Sequence, residues 1–332
     1  MFDFEMPPLD WRVCRIPKPK KPGEFRKITI PNDQLKARQR KILRYLYKVK
    51  GLRASVFAHG FVPHRNTSTG VARLPKDSEV ILCMDVKDFF DNFPLEPIRK
   101  RMIEAGVGAC LVEKILTACS YRNTIPQGGP CSPALTNIGM FEVDLMLSAF
   151  AKSRGYAYTR YADDITLSKI PEVAPEVEVK STWRLFHGVE KILSTHLGLH
   201  LKHSKNHVIH LKGKEKRQVL GVVIRKDGKG YNAPKRMRAT ARAMLCNLAR
   251  KVESKGGRVF PEDRITWQKI VGYVRYFDNL RSYSDEECAT ADPLIQQKYW
   301  DYLWPLFEKK ADESRAGAGS PAEQNVSNEQ QQ

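Results

Sequence analysis

Apolar and polar positions along this chain change rhythm several times, and each rhythm predicts an element. From Leu35 to Val49 the apolar residues Leu35, Ile42, Leu43, Leu46 and Val49 follow a helical spacing. Val80 to Met84 is continuously apolar, which predicts a strand buried on both faces with Asp85 at its exit. Residues 95–120 read as helical. Ser132-Pro133 predicts a helix N-cap followed by proline at the first helical position, and the helix runs through Leu135, Ile138, Phe141 and Leu145 to Phe150. Tyr156 to Ser168 alternates on both sides of Asp163-Asp164, which predicts a hairpin with the acidic pair at its tip. Residues 182–197 form an amphipathic helix stopped by Gly198. Gln218 to Ile224 and Lys229 to Tyr231 predict a hairpin turning at Asp227-Gly228. Beyond Pro234 three helices are expected, over 235–254, 262–281 and 294–309.

Between these elements the chain is irregular. The first thirty residues are rich in proline and lysine (Ile16 to Gly23) and feed a strand near Phe25 to Ile30. Ser55 to Leu74 has too many breakers for a long element and reads as an ordered loop. Pro171 to Val179 is a Pro/Glu-rich loop, and the end of the chain after Lys310 lacks apolar periodicity and reads as a disordered tail.

Composition adds a partner. The chain has 332 residues, enough for two or three subdomains in one body, and 56 Lys and Arg against 37 Asp and Glu give a formal charge of +19. That excess points to a polyanion, nucleic acid above all. The predicted helix after Leu35 carries Lys36 and Arg40, and the one after Pro234 carries Lys235, Arg236, Arg238 and Arg242. Such faces suit a duplex backbone and equally suit a solvated helix surface. No window approaches ~18 consecutive apolar residues, and the start has no basic segment followed by an apolar one, so no membrane partner and a cytoplasmic location are expected. The seven cysteines are an odd number without a Cys-x-x-Cys pair, which argues against a disulfide framework or a thiolate zinc site. His196 and His200 are four residues apart, but Gly198 breaks the helix between them and no acidic residue lies among the five histidines from 196 to 210.

Three stretches carry chemistry together. Asp85 ends an apolar strand, where an unpaired charge is costly and a metal or a basic partner must hold it. Gln127, Gly128 and Gly129 precede a helix N-terminus, where free N–H groups favour an anion or the close approach of a ligand. Asp163 and Asp164 complete an acidic set. Phosphoryl transfer from a nucleoside triphosphate asks a protein mainly to position two magnesium ions ~3.5–4 Å apart, and two or three carboxylates suffice. On this reading Asp85 and Asp163 are the shared ligands, Asp164 completes the site, the Val86 carbonyl serves the triphosphate-bound ion, and the chain is a template-directed polymerase.

The same residues resemble a known family. Asp85-Val-Lys-Asp-Phe-Phe90, Pro126-Gln-Gly-Gly-Pro-Cys-Ser-Pro133 and Tyr161-Ala-Asp-Asp164 look like motifs A, B and C of reverse transcriptases, in the right order. Phe25 to Lys36 resembles the fingers segment of bacterial retroelement enzymes, Leu197 to Lys205 resembles motif D, and Val219 to Val223 resembles the primer grip, which would place Leu220 and Gly221 in it. The resemblance implies an α+β, right-hand polymerase fold with fingers, an antiparallel palm with helices, and a helical thumb. The expected division is fingers with a basic arm over 1–79, palm with motif A over 80–94, and a helical insertion over 95–122. Palm motifs B to E follow over 123–231, then the thumb over 232–310 and a tail over 311–332. It further implies that Phe90 is a sugar gate that excludes a ribose 2′-hydroxyl and so favours dNTPs, that Gln127 lies beside the incoming nucleotide, that Arg26 contacts its triphosphate, and that Lys205 is a motif D proton donor.

Compact size and the Arg-x-Ile-x-x-Pro-like fingers resemble retron enzymes. That resemblance implies a structured noncoding RNA as template and primer, a single-stranded DNA product begun on a guanosine 2′-hydroxyl (msDNA), an effector protein, and a role in antiphage defence. The chain differs from the retron pattern at Thr69-Gly-Val-Ala-Arg73, where Asn-Ala-x-x-His is usual, and at Val219-Leu220-Gly221, where Val-Thr-Gly is common. Another bacterial defence enzyme, a group II intron-type enzyme and a catalytically idle RNA-binding scaffold are the alternatives.

Overall fold

The computed structural model describes residues 10–18, 22–75, 78–170, 181–211, 217–225, 230–284 and 296–307. The chain divides into two compact units, Met1–Gly228 and Lys229–Gln332. The expected turn at Asp227-Gly228, the Pro171 to Val179 loop and the tail lie outside the described residues.

The first unit opens with a ribbon whose second strand is the one expected near Phe25 to Ile30, while the first is not shown by the sequence pattern. Strand β1 (Trp11–Pro17) pairs antiparallel with β2 (Phe25–Pro31), with Trp11 opposite Pro31 and Pro17 opposite Phe25. Helix α1 (Asp33–Lys48) begins at Asn32, whose side chain accepts from the Leu35 N–H, and it buries Leu35, Gln39, Ile42 and Leu46 on one stripe. The Ser55 to Leu74 stretch contains a short helix, α2 (Thr67–Ala72), set by a reciprocal cap between Asn66 and Thr69.

A four-stranded antiparallel sheet, in the order β4-β5-β3-β6, is the centre of this unit. Strand β3 (Val80–Asp85) occupies an interior position, which is why its apolar run is continuous. The helices α3 (Glu96–Glu104) and α4 (Ala109–Cys119) fill the 95–120 expectation. The next helix differs from its expectation in two ways. Cys131 holds the N-cap position, and Ser132 is already helical, its hydroxyl donating to the Pro126 carbonyl rather than capping. The helix also breaks at Met140 into α5 (Ser132–Gly139) and α6 (Phe141–Lys152), bent by 53°. Gly139 packs closely on Phe93 beside the break, where an added Cβ would stand 2.6 Å from the ring.

Strands β4 (Tyr156–Tyr161) and β5 (Asp164–Lys169) form the expected hairpin, and α7 (Thr182–Leu197) ends at Gly198, whose φ of +64° is the left-handed C-cap. After β6 (His207–His210) the run Gln218 to Ile224 is not one strand. It folds back on itself as β7 (Gln218–Val219) and β8 (Val222–Ile224), because Leu220 and Gly221 both take positive φ, 50° and 82°. One apolar core, from Leu35 and Ile42 through Leu82, Phe93, Leu135, Leu167 and Val189, joins the sheet to its helices.

Among the described residues the second unit begins with a two-residue strand, β9 (Tyr231–Asn232), and is otherwise helical: α8 (Lys235–Ser254), α9 (Pro261–Arg281) and a π-wound segment, Gln296–Leu303. Trp267 stacks on Tyr299 and Phe307 in its own core, with centroids 4.8 and 4.6 Å away. Among the described residues no single helix is long and apolar enough to cross a membrane, and the six cysteines Cys14, Cys83, Cys110, Cys119, Cys131 and Cys246 are free thiols.

Candidate active site

Sheet register brings the acidic residues together. Asp85, the last residue of β3, stands directly opposite Asp164, the first residue of β5. Directly opposed residues of an antiparallel pair share one face, with Cβ atoms ~4.5–5.5 Å apart. The hairpin turn is Ala162-Asp163 rather than the acidic pair, so Asp163 sits in the turn and Asp164 already belongs to the ladder opposite Tyr161. Ala162 makes this possible by taking φ +56°. The turn is then tied to β3 by the Val86 N–H, which donates to the Asp163 carbonyl at 2.9 Å.

Burial, and then crowding, raises the proton affinity of Asp163 and Asp164. Burial first, then the neighbouring Asp85 carboxylate, push Asp163 above its ordinary value, against Lys205 and Arg26. Burial, then Asp163 and Asp85, push Asp164 up to about 7. Lys205, in the turn His203–Lys205 before β6, places its ammonium against Asp85 Oδ2. The basic partner that the position of Asp85 demanded is therefore a side chain of this protein, and the residue expected as a proton donor is the one that supplies it. Among the described residues, no three His, Cys, Asp or Glu side chains converge on one point as they stand. The donor chemistry nevertheless fits magnesium: hard carboxylate oxygens brought together by the sheet register, with the Lys205 ammonium as the ion-pair partner of Asp85.

Other parts of the fold carry the remaining expected site residues. Arg26 is exposed on β2, and its charge reaches Asp163. Gln127 and Gly128 lie against β2, where the Thr29 N–H donates to the Gln127 carbonyl at 2.8 Å and a Cβ on Gly128 would meet the Thr29 carbonyl at 2.6 Å. Phe90 is half-buried, edge-on to Phe89 at 5.3 Å and packed on the core. Leu220 and Gly221 form the β7–β8 turn, and Leu220 leans on Gly70 of α2. Lys36 and Arg40 lie on the outer side of α1; Lys235, Arg236, Arg238 and Arg242 lie on α8 in the second unit. The histidine run makes no metal cluster among the described residues; His200 and His203 lean on Glu190 of α7 instead.

One group behind the site escapes the sequence pattern. Arg160 and Asp144 form a fully buried ion pair at 2.7 Å. The signal was present: Arg160 follows Tyr156 and Tyr158 at inward positions of an alternating strand, and Asp144 stands at helical core spacing with Leu147 and Ala151.

The sequence model described as "Reverse transcriptase (RNA-dependent DNA polymerase)" matches residues 16–224. The retron Mx162 reverse transcriptase of Myxococcus xanthus is 31% identical over 263 residues, which are 72% of this chain and 53% of that protein. The retron Ec86 reverse transcriptase of Escherichia coli is 29% identical over 269 residues, 80% of each chain. The chain thus spans about half the length of the first relative. In structure the chain is similar to the telomerase of Candida albicans, solved with a fragment of telomeric RNA, at a TM-score of 0.51 and 13% identity over 91% of this chain and 63% of that one. That likeness is one of fold.

Proposed function

The chain belongs to the reverse transcriptase (RNA-dependent DNA polymerase) family and is of its retron type, and from that premise we propose that it copies part of a structured noncoding RNA into single-stranded DNA. The observation that carries the reading is the pairing of Asp85 with Asp164 beside the Asp163 turn. Asp85, Asp163 and Asp164, with the Val86 carbonyl, would hold two magnesium ions. When bound, the ions activate the primer hydroxyl and neutralise the triphosphate charge.

The protein's own part is positioning. Arg26 reaches from β2 toward the triphosphate of a dNTP, and Gln127 with Gly128 forms the surface beside the incoming nucleotide. Gly128 leaves the backbone open to such close approach. Phe90 blocks a 2′-hydroxyl at the sugar. Lys205 carries a proton on Nζ beside Asp85 and would pass it to the departing pyrophosphate. Lys36 and Arg40 on α1, and Lys235, Arg236, Arg238 and Arg242 on α8, would follow the nucleic-acid backbone as counter-charges.

In the same reading residues 1–79 are fingers, 80–94 and 123–231 palm, 95–122 a helical insertion and 232–310 a thumb. The product begins on a 2′-hydroxyl of the template RNA, and an effector protein joins the complex in antiphage defence. Sequencing of the nucleic acid that copurifies with the protein tests this, comparing wild type with Asp163→Ala/Asp164→Ala. Single-stranded DNA joined to RNA by a debranchable link, absent from the variant, is expected. RNA alone in both preparations would contradict synthesis, and unbranched DNA would contradict the priming mode.

A further inference from the structure

Arg160 precedes Asp163 by three residues and is buried in the protein. Its guanidinium is fully buried, and four donated bonds hold it. Nε and one terminal nitrogen reach the two oxygens of Asp144 at 2.7 and 2.8 Å. That same nitrogen reaches Asn137 Oδ1 at 3.1 Å, and the other terminal nitrogen reaches the Ala162 carbonyl at 3.0 Å. Asp144 also accepts from the Tyr158 hydroxyl at 2.7 Å and the Ser55 hydroxyl at 2.8 Å.

These partners converge on one strap, Ser55 to Gly60, which runs beside the hairpin. The Arg160 N–H donates to the Phe57 carbonyl at 2.9 Å, and the His59 N–H donates to the Arg160 carbonyl at 2.7 Å. Asn137 donates to the Gly60 carbonyl at 2.9 Å. Gly60 itself lies so close to the turn that an added Cβ would stand 2.5 Å from the Ala162 nitrogen. The strap, α5, α6 and the turn thus share one polar network.

Stability alone is a poor account of it. A buried ion pair loses solvation on both partners, and well-packed apolar side chains often serve a core as well or better. Apolar groups cannot hold a carbonyl in a chosen direction. The carbonyl held here belongs to Ala162, which takes a left-handed conformation in this hairpin turn without being glycine.

We propose that Arg160 is a positioning residue for nucleotide addition: with Asp144 and Asn137 it holds Ala162 in its left-handed conformation, which fixes where Asp163 and Asp164 present their carboxylates. The inference rests on the polymerase reading of those aspartates. Arg160 acts through the turn and touches neither nucleotide nor metal.

Arg160→Lys tests it. An ammonium keeps the charge beside Asp144 but lacks the fork that reaches Asn137 and the Ala162 carbonyl together. Primer extension is followed with kcat, the KM for dNTP and the half-saturating magnesium concentration, alongside unfolding temperature with and without magnesium. We expect Arg160→Lys to remain folded with kcat lower by ~10-fold or more, the typical scale of a misplaced catalytic group. Its KM for dNTP stays within about twofold of wild type, because nothing that contacts the nucleotide has been removed. Its half-saturating magnesium rises, and magnesium raises its unfolding temperature less than in wild type. Adding Ala162→Gly restores a large part of kcat, since glycine takes positive φ freely; a merely structural fault would be worsened by that change.

Wild-type kcat and magnesium dependence in folded Arg160→Lys overturn the proposal. Should that variant not fold, Asn137→Ala keeps the ion pair and removes the link to Gly60. It is expected to show the same magnesium shift with a smaller loss of kcat, and wild-type behaviour there overturns the proposal equally. A wild-type protein that extends no primer overturns the polymerase reading, and this inference with it.

Discussion

Lys205 and Asp85 are 120 residues apart in the chain, yet the ammonium of one rests on the carboxylate of the other. Asp85 is thereby held by a cation that belongs to the protein, and Asp163 and Asp164 feel the same charge. Removing that cation leaves three crowded carboxylates to be neutralised by protons or added ions.

Lys205→Met should therefore make the protein more dependent on divalent cations for its stability. The rise in unfolding temperature on adding magnesium is expected to exceed that of wild type, as binding to the native state alone requires. Thermal unfolding over a magnesium titration checks this, and equal rises in both proteins would show that Lys205 does not share the site with the cation.

Gly60→Ala should be severe although the change is one methyl group. Its Cβ would meet the Ala162 nitrogen at 2.5 Å and the Tyr161 carbonyl carbon at 3.1 Å, both backbone atoms that cannot swing aside. Overpacking of this kind costs ~1–3 kcal/mol, and here it also displaces the turn that carries Asp163. Gly272→Ala is the control. Gly272 lies within α9 with open space around it, so that change should be neutral or stabilise by up to ~1 kcal/mol. Denaturant unfolding of the two variants measures both.

Acid should weaken the strap before it reaches ordinary carboxylates. Burial, then Arg65, Arg73 and Arg160, lower His59 from 6.5 to about 4. The native state thus resists protonating His59 while the unfolded chain accepts a proton below pH ~6.5, so its contribution is lost as pH falls from there toward 4. The full span is worth up to ~3 kcal/mol. The difference in unfolding free energy between wild type and His59→Gln, measured at pH 7.5 and again near pH ~5, should shift in favour of the variant on acidification. A difference independent of pH would contradict it.

Much of this architecture was legible because local pattern and tertiary role coincide. The unbroken apolar run before Asp85 announced an interior strand, and alternation around Asp163-Asp164 announced a hairpin. The exact turn was not legible, since a period of two leaves the tip uncertain by one residue and alanine gives no sign of positive φ. Strand β1 was hidden by its Pro/Lys-rich neighbour and is held by pairing with β2 rather than by an apolar face. The fold-back at Leu220-Gly221 was hidden inside an apolar run that reads as one strand. Arg160 with Asp144 was missed for a different reason. Each stands alone at a core position of its own element, and only the packing of α6 against β4 brings the two together.

Phe90 offers a test of substrate choice. It is held by Phe89 and the core from one side, so truncation should open space without collapse of the fold. Phe90→Ala is expected to admit ribonucleotides in competition with deoxynucleotides. Primer extension with mixed substrates checks it, and an unchanged preference would remove Phe90 from that role.

If Asp85, Asp163 and Asp164 perform template-directed DNA synthesis, removing one of these charges abolishes it. Primer extension on an RNA template by purified wild type and Asp163→Asn, with RNA binding measured on the same preparations, tests it most directly. Asn keeps the shape of the turn residue and removes its charge. Wild type is expected to synthesise DNA and Asp163→Asn none, with similar RNA binding by both. Synthesis retained in Asp163→Asn, or RNA binding without synthesis in wild type, would contradict it.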